Sequence, residues 1–261
     1  MRTRPARTGP GDRELLYGRN AVREALLANR RRFIRLTLAE GIEANERVDE
    51  IEQLASQRLV AIDRVPRAVI DNRVSGHHQG IVLEASGYVY VEEFDLTALA
   101  AAKGVILALD GVTDPQNLAT LLRTAEATGV GLVVMPQDRS ARVTPAVVNA
   151  SAGAVEHLKI IQEVNLVRWL ERAKKDGFWV VGMAGDEEAQ PLFDTSMRPP
   201  VILVVGSEGE GLRRLVRDSC DLVVALPMAG QIGSLNAAVA GSIGLYEIMR
   251  DAEPLDQDDA I

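Results

Sequence analysis

Val201-Ile202-Leu203-Val204-Val205 carries no polar side chain and runs directly into Gly206-Ser207-Glu208-Gly209-Glu210-Gly211. Five consecutive apolar residues, four of them β-branched, read as a strand covered on both faces, as in a parallel sheet flanked by helices. The chain around it alternates in the same sense. Segments 105–109, 131–135, 179–182 and 222–226 read as further strands, and 118–128, 166–175 and 235–249 read as helices. Strands alternating with helices give an α/β domain with a mostly parallel sheet.

Working towards the N-terminus, 17–27 and 45–58 have helical spacing, and 33–38, 59–63 and 80–85 look like strands. They form a second, smaller α/β unit. The expected organisation is a disordered tail over 1–12, a small domain over 13–85, a linker over 86–104 and the large domain over 105–261. The tail is assigned on its Arg, Thr, Pro and Gly content, which offers almost nothing to bury.

Composition bounds the function classes. Of 261 residues, 47% are hydrophobic and 25% charged, which is ordinary globular usage and excludes collagen, fibrous repeats and global disorder. No apolar run approaches the ~18 residues that would span a bilayer, and the Arg-rich start has no apolar signal core, so a cytoplasmic protein without membrane partners is expected. A single cysteine, Cys220, excludes a disulfide framework and a paired-cysteine zinc site within one chain. The adjacent pair His77-His78 has only His157 as a further histidine, so hydrogen bonding is expected there and no metal. Net charge is −8, yet the first 35 residues hold ten arginines against three acids. A basic end on an acidic body is either an electrostatic footprint for nucleic acid or a solvated surface.

Three loops carry polar residues that a sheet does not need, each where a strand ends, which is where parallel sheets bind ligands. The first is Asp110-Gly-Val-Thr-Asp114-Pro115-Gln116-Asn117, leading to Arg123 on the following helix. Asp114 suits an N-cap and Pro115 the first helical position; Arg123 could merely pair with Glu126. The second is the glycine-rich loop after Val205. Its spacing matches neither a Rossmann nor a Walker loop, and Glu208 and Glu210 would repel a phosphate, so a neutral or cationic ligand fits better. The third runs from Leu226-Pro227-Met228-Ala229-Gly230 to Ser234-Leu235-Asn236. Here Ser234 or Asn236 could cap a helix whose small residues Ala237, Ala238, Ala240 and Gly241 allow close packing.

In order and spacing these loops resemble the three signature motifs of the SpoU (TrmH-type) RNA ribose methyltransferases of the SPOUT superfamily. Asn117-x5-Arg123 corresponds to the first motif, 206–211 to the second, and Pro227-Met-Ala-Gly with Ser234-Leu-Asn236 to the third. Tyr17-Gly-Arg-Asn-Ala-Val22 and Pro136-Gln-Asp-Arg-Ser140 extend the likeness over nearly the whole chain, towards the bacterial members that methylate a guanosine in the peptidyl-transferase loop of 23S rRNA. Gly233 stands where relatives often have Ser.

The resemblance implies an α/β fold: a C-terminal SPOUT domain whose parallel sheet is tied into a deep trefoil knot, with an N-terminal domain like ribosomal protein L30e that binds RNA. It implies a homodimer with the site near the subunit interface. It implies S-adenosylmethionine, held by backbone and apolar contacts at Gly206, Leu226, Met228, Gly230 and Leu235. Catalytic roles fall on Asn117, Arg123, Glu208, Ser234 and Asn236. The reaction would be attack of a ribose 2′-hydroxyl on a sulfonium methyl, with a cationic donor and a neutral leaving group, so no metal is required. Arg123 is then a general base or, more defensibly for a group whose pKa exceeds ~12, a phosphate grip that orients the hydroxyl. Glu208 would pair with Arg123 or face the sulfonium. Alternatives are a tRNA substrate with the same chemistry, or a catalytically silent RNA-binding or ribosome-assembly protein. A nicotinamide oxidoreductase lacks its glycine motif, and carbon-5 pyrimidine methylation lacks a cysteine in any of the three loops.

Overall fold

The computed structural model describes residues 13–185, 189–231 and 233–252 and divides into two compact units. The expected tail over 1–12 lies outside the described residues.

The first unit begins with β1 (Arg13–Tyr17), α1 (Arg19–Ala28), β2 (Phe33–Ala39), α2 (Glu46–Gln57), β3 (Ala61–Val65), α3 (Arg67–Asp71) and β4 (Ile81–Ser86). The sheet order is β1-β4-β2-β3, antiparallel at β1–β4 and β4–β2 and parallel at β2–β3. Helix α1 buries Ala21, Val22, Ala25 and Leu26 on one stripe, and α2 buries Val48, Ile51 and Ala55, the 3.6-residue pattern that identifies an amphipathic helix. Asn45 caps α2 by accepting from the Val48 amide at 3.1 Å. The helix expected from residue 17 starts two residues later, because Tyr17 closes β1. Gly18 makes the corner at φ +87°, and a Cβ there would lie 2.6 Å from the Asn149 amide nitrogen.

The second unit opens with α4 (Leu96–Ala101), β5 (Val105–Asp110), α5 (Pro115–Ala127) and β6 (Leu132–Pro136). The chain then contributes α6 (Pro145–Ala150) and a 3-10 turn, Ala154–His157, to the first unit. It returns as β7 (Ile160–Glu163), α7 (Leu166–Lys175), β8 (Trp179–Met183), β9 (Gln190–Pro191), β10 (Val201–Gly206), α8 (Arg214–Asp218), β11 (Leu222–Ala225) and α9 (Ala237–Asp251). Among the described residues the sheet runs β7-β6-β5-β10-β8-β11-β9 with every neighbouring pair parallel. Strand β10 lies between β5 and β8, and Val201–Gly206 is buried throughout, as its sequence requires. From β5 the chain steps outward to β6 and β7 before crossing to the other side. The carboxyl ends of β5 and β10 therefore form a switch point, the usual place for a ligand in an open α/β sheet. Small residues on α9 do what their size suggests: a Cβ on Gly241 would fall 2.7 Å from Leu121 and 2.8 Å from Val205.

Residues 142–157 leave the span expected as one domain over 105–261 and pack with the first unit. The tie is a buried ion cluster. Arg31, with no exposed side-chain surface, pairs with Glu14 at 2.7 Å and with Glu156 at 2.7 Å, and donates to the Ser86 carbonyl at 3.0 Å. Burial works against its charge, but Glu156 and Glu14 outweigh that and hold its pKa above the ordinary value. The Asn149 amide donates to the Tyr17 carbonyl at 2.9 Å, and His157 meets Glu24 at 2.8 Å. The arginine-rich stretch is thus partly internal wiring: Arg31 is buried and Arg23 forks onto both oxygens of Glu50 at 2.7 Å.

Candidate functional site

The three polar loops leave the carboxyl ends of β5, β10 and β11 and converge in the second unit. Asp114 caps α5 by accepting from the Gln116 amide at 3.0 Å, with Pro115 at the first helical position. This fixes the first turn of α5 and places Asn117, itself buried, towards β10. The Pro136–Ser140 stretch supports this loop from behind: the Ala141 amide donates to the Val112 carbonyl at 2.8 Å and the Ser140 hydroxyl at 3.3 Å.

After β10 the chain makes a tight ring. Ser207 and Gly211 exchange backbone hydrogen bonds at 3.1 and 3.0 Å. A Cβ on Gly206 would sit 2.3 Å from the Gly211 carbonyl carbon, so residue 206 must be glycine. The ring presents Glu208 to Asn117 and Asn236. Glu208 Oε1 accepts from Asn117 Nδ2 at 2.7 Å and from Asn236 Nδ2, and Asn236 Nδ2 also donates to Asn117 Oδ1 at 2.9 Å. Asn236 Oδ1 accepts from the Ala238 and Val239 amides at 2.9 and 3.2 Å and so caps α9. One asparagine therefore ends the third loop, starts the last helix and orients the glutamate.

The loops wall a cavity of about 570 Å³, within the range of small-molecule sites. Val205, Leu212, Val224, Leu226 and Leu235 supply apolar wall, and Glu208 and Glu210 supply negative charge. Leu235 is 44% and Met228 39% exposed, an unusual state for large apolar side chains beside a cavity and a suitable one for the apolar body of a ligand. Among the described lining residues, two carboxylates beside an apolar slot, against one cation, Arg217, favour a cation with an apolar body.

Of the residues singled out in the sequence, Asn117, Glu208 and Asn236 meet directly, and Gly206, Leu226, Met228, Ser234 and Leu235 line the cavity. Gly230 is not among its lining residues. Asn236, and not Ser234, provides the cap. Glu208 is engaged by the two amides and not by Arg123. Arg123 lies six residues beyond Asn117 on α5, about 9 Å along the axis and on another face, and is exposed. His78 hydrogen-bonds Asp71 at 2.7 Å and the Gly80 amide at 3.0 Å. Cys220 donates to the Val216 carbonyl at 3.3 Å, and burial pushes its pKa up to about 12, so it stays a thiol at neutral pH. Sequence reasoning missed Arg213, which grips Asp110 at the end of β5; the signal would have been an aspartate closing an otherwise apolar strand.

Comparison with known proteins agrees with this layout. Residues 104–246 match the family model described as the SpoU rRNA Methylase family, and residues 15–91 match the one described as RNA 2′-O ribose methyltransferase substrate binding. The chain is 40% identical to the 23S rRNA (guanosine-2′-O-)-methyltransferase RlmB of Pseudomonas aeruginosa, over 93% of this chain and 98% of that protein. It is equally identical to a putative TrmH family tRNA/rRNA methyltransferase, YacO of Bacillus subtilis, over 93% and 97% of the two chains. A crystal structure of an RNA 2′-O ribose methyltransferase superposes with a TM-score of 0.75 at 28% identity, covering 92% of this chain and 88% of the other.

Proposed function

Since the chain belongs to the SpoU rRNA methylase family, we propose that it transfers a methyl group from S-adenosylmethionine to a ribose 2′-hydroxyl of RNA, at a guanosine in the peptidyl-transferase loop of 23S rRNA. The observation that carries this reading is the Asn117–Glu208–Asn236 cluster, of which Glu208 and Asn236 line the cavity. It joins all three loops at one point, and no demand of sheet packing accounts for it. The P. aeruginosa relative is named for the 23S rRNA reaction and spans nearly the whole chain. The first unit matches the substrate-binding family model and is read as the RNA-holding part.

The cavity fits the cofactor by the chemistry of its walls: an apolar slot for the adenosyl group and carboxylates for the sulfonium. Gly206, Leu226, Met228, Leu235 and Gly230 are the residues assigned to hold it, the first four of which line the cavity. When bound, S-adenosylmethionine supplies an electrophilic methyl on a sulfonium that leaves as a neutral thioether. The protein's part is positioning. Asn117 and Asn236 fix Glu208 by amide hydrogen bonds to one carboxylate oxygen. Ser234, exposed and among the cavity's lining residues, is assigned to the ribose. Arg123, exposed on α5, is assigned to an RNA phosphate, from where it orients and acidifies the hydroxyl. Among the described residues no helix is long and apolar enough to cross a membrane; a cytoplasmic enzyme is the corresponding proposal.

The decisive assay offers methyl-labelled S-adenosylmethionine with unmodified 23S rRNA and unmodified tRNA in separate reactions, followed by nucleoside analysis. Label in 2′-O-methylguanosine from 23S rRNA alone is expected. Label in tRNA would overturn the substrate and keep the chemistry. No label in either RNA, with cofactor binding intact, would point to a precursor-particle substrate or to the silent binding protein.

The homodimer is proposed on the α5–α9 face. Val239, Tyr246 and Met249 are 45%, 50% and 44% exposed there, and with Thr120 and Ile243 they line an apolar groove. A second copy would cover it, since exposed apolar patches of this kind mark protein contacts. Tyr246→Arg is expected to halve the mass seen by light scattering; an unchanged mass would move the interface elsewhere.

A further inference from the structure

Asp110 and Arg213 lie outside every role assigned so far. Asp110 is the last residue of β5 and has no exposed surface. A carboxylate in that position is costly unless paired. Its partner is Arg213, the first residue after the cavity loop: the Arg213 backbone amide donates to Oδ2 at 2.8 Å, Nε donates to Oδ1 at 2.6 Å, and Nη2 reaches Oδ1 at 2.5 Å. The guanidinium itself is half-exposed. Asp110 also faces Gly206 across the β5–β10 ladder, so one carboxylate holds the far end of the loop against the strand register that fixes its near end.

We infer that the Asp110–Arg213 pair is a positioning lock that closes the 206–213 loop into the shape that binds the cofactor and presents Glu208 to Asn117. This rests on the cofactor reading above. The loop is held by three crosslinks: the pairing of the buried Asp110 carboxylate with Arg213, the Ser207–Gly211 backbone exchange, and the Glu208 contacts with Asn117 and Asn236. The Asp110 carboxylate is the one fully buried charge among them, and its pairing anchors a loop whose Gly209 and Gly211 sit at φ +81° and +65° with open space around them. Asp110 is also where the segment leading to Asn117 begins, so the lock sets both partners of the Asn117–Glu208 bond from one point.

The test uses Arg213→Gln, Asp110→Asn, the double variant and Arg213→Lys. S-adenosylhomocysteine binding is measured by calorimetry, and amide exchange is measured on the protein without ligand. Each single variant is expected to bind at least about tenfold more weakly at one site per chain. The double variant should be no worse than the weaker single, because two halves of one interaction do not add, and Arg213→Lys should recover part of the loss. In the ligand-free protein, Arg213→Gln should speed exchange at the Ser207 and Gly211 amides while α5 and α9 stay protected. A lock that only stabilised the fold would lower the melting temperature without changing the affinity of the folded protein, and that outcome overturns the inference, as do additive losses. If the wild-type chain fails to bind, the cofactor reading falls, and the exchange comparison still decides whether the pair holds the loop.

Discussion

Arg123→Ala is expected to slow ribose methylation by a factor of about 10²–10³, the span associated with losing one positioned donor to developing charge, while S-adenosylhomocysteine affinity holds. The separation follows from geometry. Arg123 is exposed on α5 and is not among the residues lining the cavity, so its loss leaves the Asn117–Glu208–Asn236 cluster and the cofactor walls untouched. The contribution proposed for it is made to the RNA. A neutral guanidine near pH 7 is prohibitively costly, since arginine's pKa lies above ~12. A charged guanidinium forked on a phosphate positions the 2′-hydroxyl and favours its ionised form. Arg123→Lys then distinguishes the roles: a point charge without the fork should recover only a small part of the rate, with the same pH dependence as the wild type. If lysine instead shifted the pH profile towards a new base, proton abstraction would belong to residue 123. Undiminished turnover in Arg123→Ala would remove it from the site.

The parallel sheet and the three loops were legible because their signals are local. Val201–Val205 has no polar residue and lands in the middle of the sheet, and 166–175 reads as a helix and is one, at Leu166–Lys175. Asp114 and Pro115 start α5 by cap chemistry that four residues suffice to specify. Asn236 was legible as a possible cap, but its second task was not: the bonds from its Nδ2 to Asn117 and Glu208 join positions 119 and 28 residues away in sequence. Strands β1, β7 and β9 went unread for the same reason. Arg13–Tyr17, Ile160–Glu163 and Gln190–Pro191 mix charged or polar residues into short runs and exist because a neighbouring strand pairs with them. The excursion of 142–157 into the first unit leaves no mark on composition at all. Arg31 shows how charge counting misleads: it belongs to a run of three arginines that looks like a surface for RNA, and it is one of the most buried side chains in its unit.

Removing that charge gives the largest expected effect on stability. Arg31→Met keeps the length and apolar stem of the side chain and deletes only the guanidinium. It takes from Glu14 and Glu156, 8% and 1% exposed, the guanidinium they share, and removes one donor from the Ser86 carbonyl. Breaking a buried pair by removing one partner costs about 3–5 kcal/mol, because the survivor remains charged and desolvated. Tyr88, whose ring centroid lies 5.3 Å from the guanidinium, loses a cation–π contact as well. The loss should appear in denaturant titration as a lower midpoint, with the first unit melting ahead of the second, so that RNA binding fails before S-adenosylhomocysteine binding does. The accompanying double change Glu14→Gln with Glu156→Gln in the Arg31→Met background should restore much of the stability, since the penalty comes from stranded carboxylates and not from a missing attraction. Glu156→Gln alone, with Arg31 intact, should cost less than Arg31→Met, because Glu14 still neutralises the guanidinium. A midpoint in Arg31→Met equal to that of the wild type would mean the carboxylates find water, and that other contacts hold the 142–157 segment to the first unit, among them the Asn149, His157 and Tyr88–Val155 bonds.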